Sequence, residues 1–268
     1  MKDAGRWLPR NLAAIDGLDY PTGLLSYSYV YSPSQDDTLD LLYQWLKTKT
    51  RWTLQQLEIP ADNWMTRQRN HRFLTHMKPI LEQYAKDHVD DGSFTYALPL
   101  DAVPSGVSHY QVWTAKQYLL KVIGGEDYYF NVDSDIIAMP PDTLRTLVEK
   151  DVDIVAPYVY VDPAPVEGNP WAGQREFYDT WCYRFAGVEW TNSHRTAIEM
   201  LDHVDPVTGL IEMESVGANP VLIKREVIDE VAYHGDEAIV GFCYQARKYG
   251  FKVYACPAVE CLHAWEAI

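Results

Sequence analysis

Apolar residues recur at helical spacing through Arg6-Trp-Leu-Pro-Arg-Asn-Leu-Ala-Ala-Ile-Asp-Gly-Leu, which predicts a first helix ending near Gly17. From Gly23 to Tyr31 the helical period gives way to aromatic and branched residues, the composition of a strand. Ser32-Pro-Ser-Gln-Asp-Asp-Thr reads as a turn capping a helix over Leu39–Leu46. A short strand near Trp52–Ile59 and helices over about Trp64–Lys86 and Tyr110–Ile123 follow. The clearest block comes next. Tyr128-Tyr-Phe-Asn-Val is a buried strand, Pro140-Pro-Asp-Thr opens a helix over Leu144–Lys150, and Asp153-Ile-Val-Ala-Pro-Tyr-Val-Tyr is a second strand. Strand, helix and strand joined by short links mark a layered α/β sheet. Asp162–Gly173, rich in Pro and Gly, reads as a mobile loop. In the last third, Val221-Leu-Ile is a strand, Lys224–Val231 and Phe242–Tyr249 are helices, and Phe251-Lys-Val-Tyr-Ala is a final strand. No repeat or low-complexity tract interrupts the chain, so a single domain over 1–268 is expected.

Composition narrows the class. At 268 residues and 30.8 kDa the chain can bury a large core without disulfide or metal staples. Its 47% hydrophobic content is too high for a disordered protein. No apolar run approaches the roughly eighteen residues of a spanning helix. The opening MKDAGRWLPRNL lacks the apolar core of a signal peptide. Cys182, Cys243, Cys256 and Cys261 have no CxxC spacing, which speaks against a disulfide framework or a zinc ribbon. A reduced, cytoplasmic chain is the expectation. A formal charge of -15 argues against a surface that grips nucleic acid throughout, since phosphate neutralisation needs Lys and Arg. Locally the balance reverses: Lys47, Lys49, Arg51, Arg67, Arg69, Arg72 and Lys78 face only Glu58 and Asp62. A solvated helix face and a basic patch for an anionic acceptor both fit.

The sharpest chemical feature is Asn131-Val-Asp-Ser-Asp-Ile-Ile, where an apolar strand delivers Asp133 and Asp135 at its carboxyl end. Residues two apart on extended chain share a face, and open α/β sheets bind ligands beyond the carboxyl ends of their strands. Two carboxylates there repel unless a cation lies between them or one is protonated. A hard divalent ion with oxygen ligands suits them and keeps positions open for a diphosphate. The alternative is a pair of acids placed for the dipole of the following helix. Asp151-Val-Asp153 has the same spacing but precedes a strand, and reads as solvated. There is no GxGxxG after a strand, no GxxxxGK[ST], no HExxH and no GxSxG, and the aspartates lack the glycine and glutamate of an EF-hand loop.

In order along the chain, Arg6-Trp-Leu-Pro-Arg-Asn-Leu, Leu18-Asp-Tyr-Pro, Tyr29-Val-Tyr-Ser-Pro-Ser-Gln-Asp-Asp-Thr, Tyr129-Phe-Asn-Val-Asp-Ser-Asp-Ile, Asp153-Ile-Val-Ala-Pro, Phe177-Tyr-Asp, the Glu214–Val227 segment, Gly241-Phe-Cys-Tyr-Gln-Ala-Arg-Lys-Tyr-Gly and Cys261-Leu-His resemble the glycosyltransferases of the GT-A fold. The resemblance is greatest to the branch related to the fungal Golgi α-mannosyltransferases of mannan synthesis. It implies a Rossmann-like α/β domain with a central, mostly parallel sheet flanked by helices. It also implies that Asp133 and Asp135, with His263 as third ligand, hold Mn²⁺ (or Mg²⁺), and that Asp133, Ser134 and Asp135 meet the donor's diphosphate and sugar. Asp36 and Ser34 fall where the family's turn nears the nucleotide, though helix capping explains them equally. Gly217 would allow close backbone approach to the sugar or acceptor, or is a turn glycine. The family's usual first strand, which contacts the nucleobase, has no counterpart before the first helix, so a domain lacking that strand is expected.

The implied activity is metal-dependent transfer of a hexose from a UDP- or GDP-sugar to an acceptor hydroxyl. Asp135 and the ion would stabilise the leaving diphosphate. Glu237 or Asp236 would serve as base if the reaction inverts; if it retains, the leaving phosphate would take the acceptor proton and no dedicated base is needed. Trp171, Tyr178, Asp179, Trp181 and Trp190 lie in the loop-rich middle, where they either contact the acceptor or fill the core. The acceptor is a glycan or protein hydroxyl, or a hydroxymethylated base in DNA reached through Arg67, Arg69 and Arg72. A non-catalytic nucleotide-sugar-binding module and a nucleotidyltransferase are the competing readings.

Overall fold

The computed structural model describes residues 3–31, 33–56, 116, 119–120, 124–161, 176–178, 182–184, 200–217, 219–232 and 238–264. Helix α1 (Leu8–Asp16) carries a proline in its first turn and stops at Gly17, whose N–H returns to the Ala13 carbonyl at 2.9 Å. Leu8, Asn11 and Leu12 form its buried stripe at three- and four-residue spacing. Leu8 and Leu12 pack with Leu42 and Leu46 of α2 (Thr38–Leu46). Beside this pair, β1 (Tyr27–Tyr31) and β2 (Trp52–Gln56) form a two-stranded parallel sheet in the register Tyr27↔Trp52. Tyr27 and Tyr29 meet Trp45 of α2 edge-on, at 5.2 and 5.9 Å between ring centres.

A seven-stranded sheet holds the rest. β3 (Tyr128–Asn131), β8 (Val221–Lys224), β5 (Ile154–Val161), β9 (Val253–His263) and β4 (Ile136–Ala138) lie in that order, with β6 (Glu176–Phe177) on β5 and β7 (Ile211–Met213) on β9. The unbroken apolar run of β5 suits a strand covered on both faces. Ile154, Ala156 and Tyr158 enter one core with Val227 of α4 (Arg225–Glu230) and Phe242, Cys243 and Ala246 of α5 (Ala238–Lys248). Val155 and Val159 enter the other, against Leu144 and Leu147 of α3 (Thr143–Glu149). No described helix is long and apolar enough to cross a membrane.

A mixed α/β architecture is what the patterning predicts, but a mostly parallel sheet is not what forms. Among the described pairings of the large sheet only β5–β9 is parallel; β3–β8, β5–β8, β5–β6, β4–β9 and β7–β9 are antiparallel. An apolar run marks a buried strand without stating its direction, and direction follows from the connections. The last strand also runs past Ala255, where the sequence reading stops it. Its register against β5 jumps from Pro157↔Cys256 to Tyr158↔Glu260, so Pro257–Val259 bulge out. Both prolines fall at this irregularity, where a missing N–H is tolerated. β9 therefore continues to His263. The side chain of Ser26, just before β1, donates to Glu126 Oε1, just before β3, at 2.6 Å, which ties the heads of the two sheets together. Predicted features at Trp64–Lys86 and Asp162–Gly173 lie outside the described residues.

Candidate active site

After Asn131 the chain leaves β3, turns with Ile136 N–H donating to the Asp133 carbonyl at 3.2 Å, and enters β4. Two antiparallel registers choose what faces this turn. Asn131 pairs with Val221, and continuing that register by two residues sets Asn219 opposite Asp133. Ile136 pairs with His263, which brings the end of β9 alongside Asp135. α1 secures the turn from below. Asn11, almost wholly buried, donates its side-chain N–H groups to the carbonyls of Asp133 (2.9 Å) and Ile136 (2.7 Å).

The two carboxylates have opposite surroundings. Asp133 Oδ1 accepts from Lys116 Nζ and from Asn131 Nδ2, each at 3.1 Å. Its Oδ2 accepts from Asn219 Nδ2 and, at 3.4 Å, from the same ammonium. The Asp133 backbone N–H donates to Asn219 Oδ1 at 3.1 Å, and Tyr129 hydroxyl holds Asn131 Oδ1 at 2.7 Å. Burial pushes the Asp133 carboxyl upward, but the Lys116 charge and the Asn219 and Asn131 amides outweigh it and hold the group below the ordinary carboxylate range. A carboxylate offers about four acceptor positions, and at Asp133 these protein donors occupy them.

Asp135 is the reverse case. Its Oδ1 and His263 Nε2 are buried, and neither has a hydrogen-bond partner among the described residues. Nε2 lies 3.3 Å from Asp135 Oδ2. His263 Nδ1 sits 2.8 Å from the Ala264 carbonyl, which accepts its proton and leaves the Nε2 lone pair facing Asp135. Ala264 N–H donates to the Asp135 carbonyl at 2.7 Å, fixing the spacing of the two backbones. A lone pair and a carboxylate oxygen this close repel unless a cation lies between them. A proton could satisfy Oδ2, but it leaves Oδ1 stranded; a divalent ion accounts for both orphaned atoms. No group of three or more His, Cys, Asp or Glu side chains converges for a metal among the described residues, and Asp135 and His263 are the described pair that could hold one. Tyr178 stacks on the His263 ring, 3.7 Å between centres, so one face of this predicted acceptor contact is committed to holding the histidine.

Ser134 lies half-buried between the aspartates. Gly217 is buried on the approach to Asn219. Asp36 and Ser34 are engaged elsewhere. Asp36 accepts from Thr38 N–H (3.1 Å), Thr38 hydroxyl (2.5 Å) and Gly5 N–H (2.8 Å), and Ser34 Oγ from Asp3 N–H (3.0 Å), which laces the start of the chain to the α2 turn. Within the basic segment, Lys49 pairs with Asp16, Lys47 lies over the Tyr43 ring, and Arg51 donates to the carbonyls of Leu25 and Gly23. Asp151 is exposed, as its sequence position suggests, and pairs with Lys224 at 2.7 Å, while Asp153 accepts the Lys252 N–H at 2.8 Å. Arg67, Arg69, Arg72, Trp171, Asp179, Trp181, Trp190, Asp236 and Glu237 lie outside the described residues. Sequence reasoning missed Asn11, Lys116, Asn131 and Asn219. Asn131 had a signal, since it shares a strand face with Asp133; the other three come from distant segments.

Solved structures share this fold. TarS from S. aureus (residues 1–349) matches with a TM-score of 0.51 and 11% identity, over 98% of this chain and 58% of that one. The mannosyltransferase PcManGT from Pyrobaculum calidifontis, in complex with GDP-Man and Mn²⁺, matches with a TM-score of 0.54 and 13% identity, over 96% of this chain and 53% of that one. The fold is that of the GT-A glycosyltransferases. TarS 1–349 in complex with UDP-GlcNAc matches as well, with a TM-score of 0.50, 12% identity, and coverage of 98% and 56%. The chain spans just over half the length of these structures. No protein-family model and no curated protein matches the sequence. The resemblance to the fungal mannan branch rests on the sequence motifs alone.

Proposed function

We propose that this protein is a metal-dependent glycosyltransferase that moves a hexose from a nucleoside-diphosphate sugar to an acceptor hydroxyl. The observation that carries the reading is the pair of orphaned buried atoms, Asp135 Oδ1 and His263 Nε2, at the carboxyl end of the GT-A strand. Asp135 and His263 would hold Mn²⁺ or Mg²⁺, which supplies positive charge against the diphosphate as it departs. Asp135 binds, Tyr178 and the Ala264 carbonyl orient His263, and Asn11 and Asn219 keep the turn in place. Solved structures of this fold carry a UDP-sugar in one case and a GDP-sugar in another, and both donor classes suit the proposal. Motifs shared with the mannan branch support the same class of transfer. If the reaction inverts, Glu237 or Asp236 is the proposed base. The proposed setting is cytoplasmic, with a glycan or protein hydroxyl as acceptor. The DNA-base alternative draws less support, because the described cations of the basic segment are already engaged within the chain.

The test is a panel of UDP- and GDP-sugars with Mn²⁺, scored for release of nucleoside diphosphate with and without chelator. Turnover that EDTA and Asp135→Ala both abolish is the expected result. Unchanged turnover in Asp135→Ala overturns the site. Donor binding without diphosphate release would mark a binding module, and pyrophosphate release a nucleotidyltransferase.

A further inference from the structure

We propose that Lys116 is a positioning residue that sets the charge of the divalent-ion site: by neutralising Asp133 it leaves Asp135 and His263 to bind the ion as a pair carrying a single negative charge. The inference rests on the metal reading above. Lys116 comes from a segment far from the aspartates in sequence, yet its side chain is almost wholly buried, with 4% of its surface exposed. The ammonium touches both oxygens of Asp133, at 3.1 and 3.4 Å. Burying a lysine is costly unless its charge is matched, and the Asp133 carboxylate supplies a matching charge.

Asp133 and Asp135 sit two residues apart in the β3–β4 turn, and two carboxylates so close in the chain repel unless cations compensate them. Here the protein supplies the first cation itself. Asn131 and Asn219 complete the shell of Asp133, so that carboxylate is spoken for before any ion arrives. What remains open is the Asp135–His263 pair, with two buried atoms that have no hydrogen-bond partner among the described residues. Removing the Lys116 charge therefore does not merely loosen the site. It exposes a second negative charge to the ion, and the ion should bind more tightly.

The experiment uses the full chain and reads Mn²⁺ affinity directly, from loss of the free-ion electron paramagnetic resonance signal on titration. Lys116→Gln should tighten Mn²⁺ binding by about tenfold, the order of effect of one uncompensated negative charge near a divalent ion in a partly wet site. Lys116→Arg should stay within about twofold of wild type, since the charge is kept. The double variant Lys116→Gln/Asp133→Asn, neutral at both positions, should return to wild-type affinity. A purely structural role predicts weaker binding in Lys116→Gln and no recovery in the double variant, and either result overturns the proposal. If Lys116→Gln does not fold, the double variant decides: affinity within about threefold of wild type supports the charge role, and a larger loss refutes it. Asp135→Asn and His263→Gln separate this proposal from the metal reading. If Mn²⁺ binding survives both, the metal site itself is wrong. If both abolish binding and Lys116→Gln changes nothing, only the role of Lys116 falls.

Discussion

Asn11→Ala tests how the site is held together without touching a carboxylate. Asn11 is 1% exposed, and its amide is the strut between α1 and the aspartate turn, with donors 2.9 Å from the Asp133 carbonyl and 2.7 Å from that of Ile136. A net hydrogen bond contributes about 1 kcal/mol, and leaving a buried carbonyl unsatisfied costs about 1–3 kcal/mol. Alanine removes both donors at once and opens a small cavity, so a loss of about 2–4 kcal/mol is expected. In a domain of this size that lowers the melting temperature by roughly 5–10 °C. Urea unfolding followed by circular dichroism measures the free energy, and the same samples give Mn²⁺ affinity, which should weaken as the Asp133–Asp135 turn loosens. A destabilisation below about 0.5 kcal/mol would refute the reasoning, because two buried bonds cannot vanish at so small a cost.

Three further outcomes follow from the geometry. Asp151 sits at φ 50° beyond the end of α3, a region costing a non-glycine residue about 1 kcal/mol. Asp151→Ala should therefore destabilise the fold, and Asp151→Gly should be the milder change; the reverse order in urea unfolding would contradict this. Hydrogen bonds from the Thr38 hydroxyl and from the Gly5 and Thr38 N–H groups hold the exposed Asp36 carboxyl below its ordinary range. Its contribution to stability is present above the unfolded value and lost as pH falls through the lower folded value. The stability gap between wild type and Asp36→Ala should thus narrow on acidification, and a gap independent of pH would count against it. Burial pushes the Cys243 and Cys261 thiols up to about 12, and no cysteine is in a disulfide. Ellman's reagent should modify the half-buried Cys182 in the native protein and spare the other three until unfolding. Rapid native labelling of Cys243 would be inconsistent with the core described.

Much of the site was legible because its parts are local. The apolar strand ending in Asp133 and Asp135, the proline-opened helix α3 and the buried run of β5 each carry their signal in consecutive residues. The short strands β4, β6 and β7 do not, because two or three residues show no period and exist only through a neighbour's register. β9 was cut short for a related reason: Pro257 breaks the pattern, and only its pairing with β5 and then β4 carries the strand on to His263. Asn11, Lys116 and Asn219 were illegible for the strongest reason. Each reaches Asp133 from a distant segment, and a polar residue in isolation does not announce the partner it will find. The division of labour between the aspartates follows from this. Their spacing is equal treatment in sequence, while the fold surrounds Asp133 with donors and leaves Asp135 open.

Electron spin-echo modulation of bound Mn²⁺ directly addresses the proposed ligation of a divalent ion by Asp135 and His263. Bound Mn²⁺ should show nitrogen modulation from a directly coordinated imidazole, lost in His263→Gln, and binding itself should be lost in Asp135→Asn. Mn²⁺ that binds with no imidazole nitrogen, and with the same affinity in Asp135→Asn, would contradict it.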